Sequence, residues 1–182
     1  MPFFDVPERK QGFEELTAWD PSSRSAPREW VLPATVPWTA RLGEGRSAVV
    51  VLDQVRCWRE GVEFTLLAFR RRVPFSGNRL SIEATLRFGV GFADGRRATT
   101  VDPWDLPDDR PALVPQGGGG SQFHQRKDYY LTPMPPAGPL TLVVAWPDGD
   151  IPETATVFDA AELRDASDRA VAIWPDLVPP SP

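Results

Sequence analysis

The chain has 182 residues, a formal net charge of −5, and 41% hydrophobic and 25% charged residues. Such a composition suits one globular domain with a core able to stand alone, and it argues against wholesale disorder. The densest basic cluster is Arg70-Arg71-Arg72, too short a run to make nucleic acid the expected partner.

Residues 1–27 mix Pro, Ser and charge with Phe3, Phe4, Phe13, Leu16 and Trp19. They read as an irregular N-terminal arm with one helical turn near Gly12–Ala18, and the aromatic residues suit docking on a surface. The segment Met1–Lys10 has no basic stretch followed by an apolar one, so no signal peptide is expected. No apolar run approaches the ~18 residues of a membrane span, so no membrane partner is expected. The single cysteine, Cys57, rules out an internal disulfide framework and fits a reducing compartment, with the cytoplasm as the expected location.

Residues 28–175 read as one domain: an antiparallel β-sandwich, immunoglobulin-like or jelly-roll-like, closed by a helix at 160–172. Residues 176–182 form a Pro-rich tail. No Cys…Trp…Cys pattern occurs, which excludes an antibody-type domain. Glu29–Leu42 suits one or two edge strands, because Pro33 and Pro37 cannot donate to a central ladder.

Two hairpins follow. Ala48–Arg72 turns at Glu60-Gly61, and Leu80–Val101 turns at Asp94-Gly95; both have apolar alternation running into a Gly-containing turn. A two-residue loop in the first sets Cys57 opposite Phe64 and Val55 opposite Leu66 on the core face. It leaves Trp58 opposite Glu63 on the outer face and puts Asp53 on core parity opposite Ala68. In the second hairpin Ile82, Ala84, Leu86, Phe88, Val90 and Phe92 share the inner face. Gly89 and Gly91 leave the outer face bare, which marks a bulge or the close approach of another backbone. Gly61 and Gly95 are both expected at positive φ.

Asp102–Pro139 reads as a long Pro- and Gly-rich loop region with room for a short strand at Asp128–Leu131. Leu140–Trp146 and Thr154–Phe158 read as strands. Asp159-Ala-Ala-Glu162 has capping-box spacing at the start of the helix, whose apolar stripe is Leu163, Ala166, Ala170 and Val171. Trp174-Pro175 ends it.

Four features carry candidate chemistry. Gly117–Gly120 with His124, Arg126 and Lys127 suggests backbone amides cradling an anion, with Gly118, Gly119, His124, Arg126 and Lys127 as ligand-binding residues. The spacing of a phosphate loop is absent, and a flexible connection explains the glycines as well. His124 is the only histidine; it lacks a metal-ligand partner and a nucleophile elbow, so it reads as a loop hydrogen-bonder before a base. Asp102, Asp105, Asp108 and Asp109 carry oxygen ligands for a hard cation but lack EF-hand spacing, and a solvated acidic turn is the plainer reading. Seven tryptophans are present: Trp19, Trp30, Trp38, Trp58, Trp104, Trp146 and Trp174. Periodicity puts Trp146 and Trp174 in the core, while Trp58 on the outer face is the expected exposed contact. Cys57 faces inward and reads as packing.

The segments Val55–Phe64 and Leu86–Arg96, the glycine tetrad, Tyr130–Thr141 and a closing helix ending Ile-Trp-Pro resemble uncharacterised proteins of high-GC, actinobacterial-type bacteria. The resemblance spans about Trp30 to Pro175 and implies no activity, and so no functional residue. No nucleophile–base pair, metal-ligand cluster or cofactor fingerprint stands out, and no cofactor is expected. The expectation is a non-enzymatic cytoplasmic interaction module that takes a protein partner or self-associates through Trp58, Gly89 and Gly91. The alternative is a small-molecule or anion binder, or an unrecognised hydrolase, using the 116–127 loop with His124.

Overall fold

Apolar alternation along the chain becomes antiparallel strands whose inward side chains meet between two sheets. The computed structural model describes residues 14–20, 22–72, 85–103, 107 and 109–178. In chain order the strands are β1 (Val31–Leu32), β2 (Ala34–Val36), β3 (Ala40–Glu44), β4 (Ala48–Cys57), β5 (Val62–Arg70), β6 (Arg87–Gly91), β7 (Arg97–Thr99), β8 (Ala112–Gly120), β9 (His124–Thr132), β10 (Pro139–Trp146), β11 (Ile151–Asp159) and β12 (Val171–Ala172). Helix α1 (Ala160–Ser167) lies between the last two.

The larger sheet runs β2-β4-β5-β9-β8, with β3 also pairing β4; the smaller runs β11-β10-β6-β7; β1 and β12 form a separate pair. Phe64 of the larger sheet meets Phe88 of the smaller edge to face at 5.8 Å, and Phe88 meets Tyr129 at 5.4 Å. These rings sit in one buried cluster with Leu52, Leu66, Leu142 and Trp146. The fold is thus mainly β, with two antiparallel sheets face to face and one C-terminal helix.

The first hairpin keeps the expected parity and loses the expected register. Val55, Cys57, Phe64 and Leu66 are all fully buried, but Cys57 pairs with Val62 and Val55 with Phe64. The loop is Trp58–Gly61, closed by Trp58 N donating to Gly61 O at 2.9 Å. Asp53 is lifted out by a register shift between Leu52 and Gln54 and is exposed. A bulge inserts one residue, so both flanks keep their apolar faces while the carboxylate escapes to solvent. Gly61 does not have positive φ. Its requirement is steric: a Cβ there would run into Leu131 O and the Tyr130 ring.

In the second hairpin Leu86, Phe88, Val90 and Phe92 are buried as expected, and Gly95 has φ +85. Residues 80–84, with Ile82 and Ala84, lie outside those described.

Asp102–Pro139 is not a loop region. It contains β8 and β9, and the glycine tetrad is the outer half of β8, paired with Gln125–Asp128. Gly118 admits no side chain, because its Cβ would strike Arg126 O. The ladder replaces a flexible connection because backbone pairing needs no side chains, whereas a sequence pattern does.

Helix α1 starts as expected, with Asp159 Oδ1 accepting from Ala161 N at 2.9 Å. Glu162 does not complete a capping box; its Oε2 accepts from Trp38 Nε1 at 2.8 Å and ties the helix to the sandwich. The helix stops at Ser167 rather than 172, because Val171 and Ala172 turn extended to pair with Leu32 and Val31. Trp174 is 50% exposed, not core, while Trp146 is buried. Residues 14–18 form no helical turn; Gly12 and Phe13 lie outside the described residues.

Candidate functional site

The outer face of the smaller sheet is built in rows, because paired residues on adjacent antiparallel strands share a face. Arg87 pairs with Ala145. The middle row runs Ala155, Val143, Gly89, Thr99, and the next Val157, Thr141, Gly91, Arg97. With hydrogen in place of side chains at 89 and 91, β6 becomes a furrow between the β10 ridge and the β7 ridge. The result is an open cavity of about 310 Å³, floored by the two glycines and lined also by Arg87, Arg97, Val101 and Glu153. Val101 beside it and Val157 at the end of the row are more than half exposed.

The fold does not demand glycine at either position. Neither has positive φ. A Cβ on Gly89 would find Thr99 Cγ2 at 3.4 Å, and one on Gly91 would find Thr141 Cβ at 3.7 Å, both ordinary contacts. Glycine inside a strand costs about 0.5–1 kcal/mol relative to alanine. Two of them at successive outward positions are a cost without structural return, and what they create is the cavity. Arg87 and Arg97 are exposed on its rim and make no ion pair or hydrogen bond to another described residue.

A second concentration of charge lies on the outside of the larger sheet. Glu63 is fully buried; Arg28 Nε donates to its Oε2 at 2.9 Å, joined by Arg28 Nη2, and Arg56 Nη1 lies 3.1 Å from its Oε1. Asp128 Oδ1 accepts from Thr65 Oγ1 at 2.7 Å and Arg126 Nε at 3.1 Å. The network holds segment 26–31 over the sheet, where Ala26 and Val31 pack on Trp58 and Tyr130.

That cover corrects the reading of Trp58. The indole is fully buried, meets Tyr130 edge to face at 5.8 Å, and donates its Nε1 to Val31 O at 2.9 Å. It is not an exposed contact, because the arm occupies the outer face it points to.

The residues of the 116–127 segment are separated by strand parity. His124, Arg126 and Asp128 share the outer face, and the His124 ring stacks on Phe69 at 4.8 Å. Lys127 points to the other face and is buried, which lowers its pKa. Gly118 and Gly119 sit opposite Lys127 and Arg126. Asp102 lies elsewhere, its Oδ2 accepting from Thr99 N at 2.6 Å. Asp105, Asp108 and Trp104 lie outside the described residues; among the described residues no group of three His, Cys, Asp or Glu is placed to hold a metal. Cys57 is buried and its thiol is pushed up to about 12 by that burial, far from a thiolate at neutral pH. No helix among the described residues is long and apolar enough to cross a membrane.

Sequence reasoning found Gly89 and Gly91 through their parity. It missed Arg97, which the turn of the same hairpin sets opposite Gly91, and Thr141 and Val143, which only non-local pairing brings beside the glycines. It also missed the Glu63 network, for which the one available signal was charge recurring at outward positions of 56, 63, 126 and 128.

Compared with protein-family models, with curated proteins and with solved structures, the chain finds no match.

Proposed function

We propose that this protein is a non-enzymatic interaction module whose contact surface is the outer face of the β11-β10-β6-β7 sheet. The observation that carries the reading is the pair of glycines at 89 and 91, which the backbone does not require and which open the cavity. Sheet faces left bare of side chains admit close approach of a partner. The rival site at 116–127 has less support, since its cations fall on opposite faces of the sheet. The unpaired, buried Cys57 favours a reducing compartment, and the reading keeps the module in the cytoplasm.

Affinity capture with the immobilised chain from an extract of the source cells tests this. A specifically retained species should be lost with Gly89→Lys, which fills the furrow, and kept with His124→Ala and Arg126→Ala. Loss with the latter two and retention with Gly89→Lys overturns the reading in favour of a ligand site at 116–127. Circular dichroism melts of all three variants separate either result from unfolding.

A further inference from the structure

We propose that the cavity on the small sheet takes an extended segment of a partner protein, with apolar side chains at alternate positions and a carboxylate two residues beyond them. This rests on the interaction reading above and names the partner's chemistry. Three features of the site carry it.

The furrow follows a single strand, with a ridge on either side at one strand spacing, about 4.8 Å away. It has room for one column of side chains. Its two seats, above Gly89 and Gly91, are two residues apart on β6, or about 6.7 Å. Alternate side chains on one face of an extended chain have that same spacing, so a segment laid along β6 drops residues i and i+2 into the two seats. The walls of the seats are Thr99, Thr141 and Val143, and small aliphatic side chains match that lining.

Charge then sets the third position. The next outward residue along β6 is Arg87, in line with the seats, and Arg97 pairs with Gly91 beside the far one. Neither guanidinium is engaged by another described residue. The lone acid of the lining, Glu153, belongs to β11, beyond the β10 ridge, and no ion pair joins it to Arg87. A carboxylate at i+4 of the docked segment meets Arg87, one outward position beyond the Gly89 seat. Carboxylates are the complementary partner, because a guanidinium offers a planar fork of donors.

The test is a titration of the full chain, followed by amide chemical shifts, with the capped hexapeptide Ser-Val-Ser-Val-Ser-Glu, its reversed order, and both with Gln for Glu. One Glu peptide is expected to shift the amides of Gly89, Gly91, Thr99 and Val143, and to bind at least 5-fold tighter than its Gln counterpart. Arg87→Gln should erase that difference while leaving the Gln peptide unchanged, Arg97→Gln should reduce it, and 1 M salt should suppress it. Equal binding of Glu and Gln peptides, both lost with Gly89→Leu, overturns the carboxylate assignment and leaves the interaction reading standing. If no peptide shifts these amides and Gly89→Lys also spares capture, both fall. Concentration-dependent dimerisation abolished by Gly89→Leu shows a second copy as occupant and overturns the proposal.

Discussion

Arg28, in the segment 26–31 that lies over the larger sheet, and Glu63, the second residue of β5, form the contact that fastens the N-terminal segment to the sandwich. Glu63 is fully buried, so its charge is tolerable only while guanidinium groups face it. Arg28→Ala removes one of two and leaves Arg56 alone. It should cost about 2 kcal/mol, the scale of a charged hydrogen bond whose partner stays buried. Urea unfolding measures the cost. Limited proteolysis should show the segment before Val31 cut faster than in the parent; unchanged cutting would mean that Trp58 packing alone holds the arm.

Gly61 and Gly89 should respond oppositely to the same small change. At Gly61 a methyl group collides with Leu131 O and the Tyr130 ring, and Gly61→Ala should destabilise by roughly 2–3 kcal/mol, as overpacking does. At Gly89 a methyl group meets only ordinary contacts, and Gly89→Ala should be neutral or gain about 0.5–1 kcal/mol of backbone entropy. Thermal melts of the two variants decide this. A marked loss for Gly89→Ala would show that the strand does need glycine there, removing the main reason to see a site.

How much of this was legible depends on whether side chains or pairing carried the information. Leu86–Phe92 was readable because four apolar residues alternate with none on the other face. The parity of Val55, Cys57, Phe64 and Leu66 was readable for the same reason. Their register was not, since a loop two residues longer preserves parity while moving every partner. Gly117–Gly120 has no side chains to alternate, so its strand is visible only through its ladder with β9. In β9 the outward residues His124, Arg126 and Asp128 are polar because ion pairs and the arm satisfy that face, which imitates a loop composition. Trp58 was misplaced because the segment covering it is remote in sequence. In the candidate site the glycine floor was visible and its β7 wall belongs to the same hairpin, but its β10 wall comes from a strand brought alongside β6 by the fold.

Asp159 offers a local check on the helix. Its carboxylate accepts from Ala161 N at the helix start, satisfying an amide with no intrahelical partner. Asp159→Ala should cost about 1 kcal/mol. Asp165→Ala, at an exposed position within α1, should change stability by less than about 0.5 kcal/mol. Equal costs in chemical denaturation would remove the capping role.

Alkaline pH should unfold the protein earlier than its carboxylates and arginines alone would suggest. Cys57 has its thiol raised by burial from an ordinary 9.0 to about 12, and Tyr129 its phenol from 10.0 to about 12. Both are acids whose folded pKa lies above the unfolded one. The folded state therefore holds protons that the unfolded state releases, and the stability they contribute is complete below pH 9 and drains away as pH rises toward 12. Between pH 9 and 10 Cys57 acts first, with a slope of at most about 1.4 kcal/mol per pH unit for one proton. Cys57→Ala should lower stability at pH 7 through the lost packing, yet flatten the decline from pH 9 to 10. Urea titrations at half-unit pH steps on both proteins measure the slopes, and parallel curves would show that the thiol does not carry the alkaline transition.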